Sequence, residues 1–513
     1  MKLKKISYIL IFLLLISCED YLKEEPYSFL SEENFPEKAE DGRIALNGAY
    51  NVLTNNNIVG YQYVLHVLAD TELGTYGCCL SNSYGLYQDF ARTSADGFPR
   101  NIWVDLFQGI NSTNVVLDVV AEKKFEGGDK LIAEAKALRA YYYIQATNFF
   151  GEVPFLQTST NGIASLDAQR TNVDEIRSQI IADLDEAEQV MEQYPDEFAV
   201  QNRGGLITLG TVKMIKAKLY MYMTGWRRSS DGEMIAGDPS YWANVRDLCQ
   251  EIIDLGVYSL DPDYTKVFSD YYLDNYNTES IWEIDFSMPT NGATLPNAMT
   301  APPYGAGSAG GFGNMRSTKD FYDLYDTLDT RRDWSLGQGN FSGYEFVPAE
   351  TISNRPFINK FRKVAGNGDH GFRTPHNTPI YRYSEVLLML AEALNEINNG
   401  PTPEAYDAIN QVRYRARPLD HKDDGLVLPD LTSLDYDSFK NAIIDERAFE
   451  LAFEGQRRID LIRWGIFIER ISSFAPEVSE MSKAENVREY HMLLPVPLEE
   501  MNLNPEWSQN DGW

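Results

Sequence analysis

Cysteine is scarce in this chain. Four occur in 513 residues: Cys18, the adjacent pair Cys78 and Cys79, and Cys249. Neighbouring cysteines bridge poorly and none forms a Cys-x-x-Cys pair, so the sequence carries neither a disulfide framework nor a thiolate zinc site. The five histidines are scattered without a His-Glu-x-x-His spacing, and no metal site is expected. Basic charge is also short. There are 45 Lys and Arg against 76 Asp and Glu, a net charge of −31, and such a surface repels phosphate backbones and argues against nucleic-acid partners. Beyond the first twenty residues, no apolar run approaches the ~18 needed to span a bilayer as a helix.

The N-terminus holds the strongest local signal. Lys2, Lys4 and Lys5 precede an apolar run over residues 6–16, the length of a signal-peptide core and too short for a membrane span. Leu15, Ile16, Ser17 and Cys18 then have the form of a lipobox. A small residue fits the peptidase at the cut, and only a cysteine thiol can accept diacylglycerol. Two or three acyl chains, at about 0.8 kcal/mol per buried methylene, make a durable anchor. The expectation is cleavage after residue 17 and lipidation of Cys18. Glu19 and Asp20 directly follow.

What is plentiful is aromatic: 31 Tyr, 25 Phe and 8 Trp. Many tyrosines fall outside the helical segments, and tyrosine suits half-exposed surfaces because its ring is apolar and its hydroxyl polar. The apolar fraction of 43% is that of a chain with a sizeable core.

Helical periodicity dominates. Residues 381–397 place Val386, Leu387, Leu390, Leu394 and Ile397 on one face. The stretch from Asn399 to Pro403 breaks that helix, and 404–417 begins another with Ala405, Ala408, Ile409 and Val412 inward. This hairpin of about 36 residues has the size of a tetratricopeptide unit. Further helices are expected over 101–120, 130–150, 172–193, 209–225, 241–255, 438–453 and 455–474, giving hairpins at unequal spacing. Three long stretches lack periodicity: 60–100, 288–314 and 363–378. Loops of that length in a compact protein are usually functional or disordered. A brief strand is expected over 280–286. Gly305, Gly307 and Gly310 match a Gly-x-Gly-x-x-Gly spacing, but Pro302 and Pro303 stand where a dinucleotide site needs a buried strand, so the match is read as chance.

Six groups of residues occur in one order along the chain. They are Trp103, Ile110, Asn111 and Asn114; then Arg139 to Tyr143, running to Gly151 and Pro154; then Arg382, Glu385, Ala391, Glu392 and Ala393. Next come Ile409, Asn410, Val412 and Arg413, then the charged run from Glu446 to Trp464, and finally Leu494, Pro495, Pro497, Asn504, Pro505, Gln509 and Asn510. Together these resemble the SusD/RagB family of outer-membrane glycan-binding lipoproteins of Bacteroidetes.

The resemblance implies a mainly α fold with tetratricopeptide-like helix-turn-helix pairs, large inserted loops and minor short strands. After the signal peptide at 1–17, one SusD-like domain would fill 18–513, with an N-terminal half at 18–230 and a C-terminal half at 231–513. It implies capture of polysaccharide or oligosaccharide at the cell surface without catalysis, and delivery to a SusC-like TonB-dependent outer-membrane transporter. It also implies attachment to the outer membrane through the lipid, facing the medium, as acidic residues after the lipidated cysteine suggest. No cofactor is implied. Two other readings stay open: a helical glycoside hydrolase or lyase, and a scaffold binding peptide or another nutrient.

A pyranose has an apolar C–H face that lies on an aromatic ring and hydroxyls that need polar partners, with ~1 kcal/mol per stacking contact beyond the buried area. Two irregular stretches fit that chemistry. The first offers Asp70, Tyr76, Asn82, Tyr84, Tyr87 and Arg92; the second offers Tyr304, Phe312 and Asn314, with Asn291 and Asn297 close by. These nine residues are the expected glycan-binding candidates. The charged residues between Glu446 and Asp460, with Arg139 and Glu385, are read instead as ion pairs clamping the scaffold.

Overall fold

The helical periodicity becomes a stack of antiparallel hairpins. A computed structural model describes residues 38–76, 87–160, 168–199, 204–288, 290–303, 309–366, 372–473 and 481–513. Helix α1 spans Ala39–Val52, α2 Tyr61–Ala69, α3 Gly97–Lys123, α4 Gly128–Phe150, α5 Val173–Gln193, α6 Leu209–Thr224 and α7 Trp242–Asp254. Later in the chain come α8 Tyr383–Asn398, α9 Pro403–Ala416, α10 Tyr436–Leu451, α11 Arg457–Arg463 and α12 Phe467–Ser472. α3 packs on α4, α4 on α5, α6 on α7, and α8 on both α9 and α10. α7 also packs on α8, which joins the early hairpins to the late ones. This is the mainly α architecture expected.

Local chemistry sets the boundaries. Asn172 caps α5 by accepting from the Asp174 N–H, and Thr402 caps α9 by accepting from Ala405 with Pro403 in the first turn. Packed between α3 and α5, α4 is buried on nearly every side, carrying Tyr141, Tyr142 and Tyr143 into the main core.

Two expectations need correction. Residues 455–474 do not form one helix: α11 ends at Arg463, and Gly465 takes a left-handed φ of +74° before α12 begins. Apolar periodicity alone cannot register that break. The stretch 60–100 is likewise not irregular throughout, since it contains α2 and the start of α3.

Strands are few and short. Ser280–Ile284 pairs antiparallel with Thr378–Arg382. A small sheet runs in the order Thr75–Tyr76, Met315–Arg316, Phe357–Ile358, Leu336–Gly337, so it gathers loops from distant parts of the chain.

The charged motif residues form a buried polar core. Arg382 reaches Glu279 at 2.5 Å, Glu450 at 2.9 Å and Glu454 at 2.7 Å. Arg415 bonds the same Glu279 and Glu450, at 2.7 and 2.5 Å, and Arg331 reaches Glu446 at 2.6 Å. A second cluster links Arg447 to Asp460 and Glu385, Lys218 to Glu385, and Arg463 to Glu392 and Asp460. Burial alone would raise the Glu450 carboxyl, but Arg415, Arg382 and Arg331 hold it well below the usual range. Arg139 is fixed similarly, to Asp183 at 2.5 Å and the Asn114 side chain at 2.9 Å. These residues are the frame.

Candidate functional site

Of the long irregular stretches, two converge with the start of α2. The peptide from Leu295 to Met299 is a short buried helix, and Asn297 within it is 3% exposed. Its carbonyl accepts the Phe312 N–H at 2.7 Å, while its side-chain amide donates to the Phe372 carbonyl. One buried asparagine therefore sets two loops side by side. Thr374 and Ala293 add a two-way backbone bridge at 2.7 and 3.0 Å.

Phe312 and Phe372 consequently lie with ring centroids 5.6 Å apart and planes 26° from parallel. Tyr61, the first residue of α2, continues the row at 6.0 Å from Phe372. Its N–H donates to Thr294 at 3.0 Å, and Thr294 in turn donates to Asn56 at 2.7 Å. The Tyr61 hydroxyl accepts from the Asn314 amide. Phe312 is 57% exposed and Phe372 45%. Single exposed apolar residues are ordinary, but two exposed rings in contact form an apolar patch of the kind that marks binding surfaces.

The ledge has a rigid floor. Gly313 has φ +56°, and a Cβ there would meet the Phe357 ring at 2.4 Å. Arg316 donates to the Gly313 carbonyl at 2.7 Å, and its guanidinium lies 3.3 Å from the Phe357 centroid. Backbone pairing among Met315–Arg316, Phe357–Ile358 and Thr75–Tyr76 holds these pieces together.

A near-parallel pair of rings with a third tilted beside it, edged by the Asn314 amide and with the exposed Arg373 next to Phe372, can do one thing well. They offer an apolar surface to the C–H face of a ring ligand and hydrogen-bonding groups at its edge.

The expected candidates divide. Phe312 and Asn314 belong to the ledge. Asp70, Tyr76, Tyr87 and Arg92 do not, because all four are buried. Asp70 is gripped by both Arg92 terminal nitrogens, at 2.6 and 2.8 Å, and by Arg458 at 3.1 Å, so this stretch ties the N-terminal chain to α11. Tyr76 is 1% exposed and its N–H donates to Gln88, while the Tyr87 hydroxyl accepts from the Phe98 N–H. They serve as structural closures and present no ring to solvent. Asn82, Tyr84 and Tyr304 lie outside the described residues, as do Cys18, the Cys78–Cys79 pair and residues 305–308 of the glycine-rich match. Tyr61 and Phe372 were not among the expected residues, although both lie in stretches singled out for lacking periodicity.

Other openings suit a sugar ring less well. A cavity of about 60 Å³ under α2 has room for a few waters and no pyranose. A wider groove of about 910 Å³ runs beside α9, but of its tyrosines Tyr258, Tyr383 and Tyr414, only Tyr414 is exposed.

A stack of helical hairpins with a charged core, carrying an aromatic ledge on inserted loops, defines a helical-repeat scaffold that displays irregular segments. A family model described as the SusD family matches residues 349–513, and one described as starch-binding associating with outer membrane matches residues 20–204. The chain belongs to the SusD family. It is 28% identical to the SusD-like protein P25 of Formosa agariphila, over 99% of each chain. The starch-binding protein SusD of Bacteroides thetaiotaomicron is 29% identical over 26% of this chain and 21% of its own. Among solved structures, a SusD superfamily protein from Parabacteroides distasonis is 26% identical with a TM-score of 0.76, covering 94% of this chain and 100% of its own. A surface glycan-binding protein A from Bacteroides thetaiotaomicron, solved with laminarihexaose, shares the fold at 21% identity and a TM-score of 0.70, covering 92% of this chain and 99% of its own.

Proposed function

We propose that this protein is a non-catalytic surface protein that captures polysaccharide or oligosaccharide and hands it to a SusC-like TonB-dependent transporter. Residues 1–17 act as the signal peptide, Cys18 carries the lipid, and the domain from residue 18 onward sits on the outer membrane facing the medium. Membership of a family whose relatives include starch- and glycan-binding proteins supports this reading. Among the described residues, no helix is long and apolar enough to cross a membrane.

The observation that carries the glycan part is the exposed pair Phe312 and Phe372, with the half-buried Tyr61 beside Phe372. Rings in a row match successive sugar units of a chain better than a compact small molecule. Association costs require several such contacts acting together before affinity becomes measurable. Isothermal titration against a panel of soluble glycans tests it. At least one glycan should bind, and Phe312→Ala with Phe372→Ala should weaken it at least tenfold, about 1.4 kcal/mol. Binding that survives the double variant unchanged would refute the ledge as the site. Release of new reducing ends from the bound glycan would refute the non-catalytic reading. Co-purification with a TonB-dependent barrel from native membranes is the expected result for the partner.

A further inference from the structure

A second opening lies where the first turns of α5 meet the end of α6 and α11. It is small, about 20 Å³, room for one water. Arg177, Arg227, Arg228 and Arg463 all line it. In a chain of net charge −31 that is a marked concentration of positive charge.

Three of the four are neutralised. Arg227 is paired with Asp174 at 2.6 Å, Arg228 with Asp511 at 2.5 Å, and Arg463 with Glu392 at 2.6 Å. Arg177 is not. It is 5% exposed, its Nε has no hydrogen-bond partner, and among the described residues no carboxylate forms an ion pair with it. The one carboxylate a turn away, Asp174, is taken by Arg227. Burial first, and then the Arg227 charge, pull the Arg177 pKa down to about 10 against the smaller opposing pull of Asp174 and Tyr222, still far above neutrality. A buried guanidinium that keeps its charge without a partner is costly, so the fold retains a cation aimed into an open pocket.

The surroundings narrow the ligand. A guanidinium fork matches the planar or tetrahedral oxygens of an oxyanion. The pocket admits one such oxygen and leaves the rest of the ligand in the mouth. There Trp226 is 43% exposed, and the half-buried Asn148 lines the same wall. An indole beside an unpaired arginine is a ring face next to an anion site.

The geometry points to a binding site for an acidic sugar residue, with a carboxylate or sulfate-ester oxygen on Arg177 and the pyranose ring against Trp226. The anion half stands on the pocket alone, and the sugar half rests on the glycan reading above. This site is separate from the Phe312–Phe372 ledge, so the protein would contact glycan at two places, of which only this one selects for negative charge.

The test uses the full-length protein at constant ionic strength with four probes: inorganic sulfate, glucuronate, glucose 6-sulfate and glucose. Thermal shift reads all four, and NMR titration reads the sugars. Sulfate and both acidic sugars should raise the melting temperature, and glucose should not. Arg177→Gln should weaken all three anions at least tenfold while melting no lower than the parent, since it removes an unpaired buried charge. Arg177→Lys should retain part of the response. Trp226→Ala should weaken the acidic sugars severalfold and leave sulfate unchanged. The double variant of Phe312 and Phe372 should leave every anion response intact, which separates this site from the ledge. No anion response in the parent, or one that persists in Arg177→Gln, would overturn the site. Equal affinity for sulfate and the acidic sugars would overturn the sugar half, and glucuronate against glucose 6-sulfate distinguishes the two sources of the anion.

Discussion

The buried side chain of Asn297 donates to the main-chain carbonyl of Phe372, 75 residues further along the chain. With the Phe312 N–H on its own carbonyl, Asn297 decides how far apart the two exposed rings stand. A binding surface built from loops depends on such buried polar ties, because loops have no repeating backbone pattern to hold their spacing.

Asn297→Ala should therefore weaken glycan binding without removing any ring. The variant leaves the Phe372 carbonyl without its donor, at a cost of about 1–3 kcal/mol in stability. Titration should show a several-fold loss of affinity. An unchanged affinity in a folded variant would mean that the loops hold their spacing by other contacts.

Tyr76→Phe and Tyr87→Phe should leave glycan affinity unchanged, since both rings are buried. Tyr87→Phe should cost about 1 kcal/mol of stability, because its hydroxyl accepts the Phe98 N–H at 3.1 Å. A tenfold loss of glycan binding in either variant would contradict this placement.

Arg382→Met removes the cation shared by Glu279, Glu450 and Glu454. Those carboxylates would remain buried, and breaking one partner of such a cluster costs about 3–5 kcal/mol. Chemical denaturation should show a large loss, or no folded protein.

The same network sets the response to acid. Glu450 and Asp460 are buried, yet their arginine neighbours, Arg415 foremost for Glu450 and Arg447 for Asp460, hold both carboxyls below their ordinary values. A depressed folded pKa gives stability that is fully present above the unfolded value of about 4 and is lost as pH falls through the folded value. Stability should be insensitive to these groups near neutrality and decline steeply below about pH 4. A melting temperature that stays level from pH 5 to pH 2 would contradict it.

Glu283 works in the opposite sense. Burial raises its pKa to about 8, against hydrogen bonds from Ser280 at 2.5 Å and Asn377 at 2.9 Å, with Asp285 and Asp274 adding to the rise. The folded state then holds a proton that the unfolded chain releases above about pH 4.3, so stability falls as pH rises from there to about 8. Glu283→Gln should relieve this, raising stability by roughly 1–3 kcal/mol at pH 8 and little at pH 4. Melting curves at the two pH values check it.

The sequence shows the frame more clearly than the ledge. Apolar spacing in residues 381–397 and 404–417 marks α8 and α9 because each must bury one stripe. The charged run from Glu446 to Asp460 reads as ion pairs because so many charges near apolar positions can be buried only in pairs. The failure at 455–474 has a local cause: Gly465 switches handedness, while Leu461, Ile462, Phe467 and Ile471 are all buried and keep up an apolar pattern across it. The site is harder. Composition found Phe312, but Asp70 and Arg92 look the same in sequence whether they face a ligand or each other. Only Arg458, far along the chain, shows that they close the fold. Tyr61 and Phe372 join the ledge through Asn297 and Thr294, pairings of long sequence separation that no local pattern displays.

Asp70 meets Arg458 across 388 positions of chain, and Arg331, Arg382 and Arg415 all take partners from α10 or just after it. Until about the last seventh of the polypeptide is available, Arg331 has only Asp329 and Arg382 and Arg415 have only Glu279, and the glutamates that complete their pairing are missing. The charged core can therefore close only after that segment has been made, so the frame gains its full stability late in synthesis.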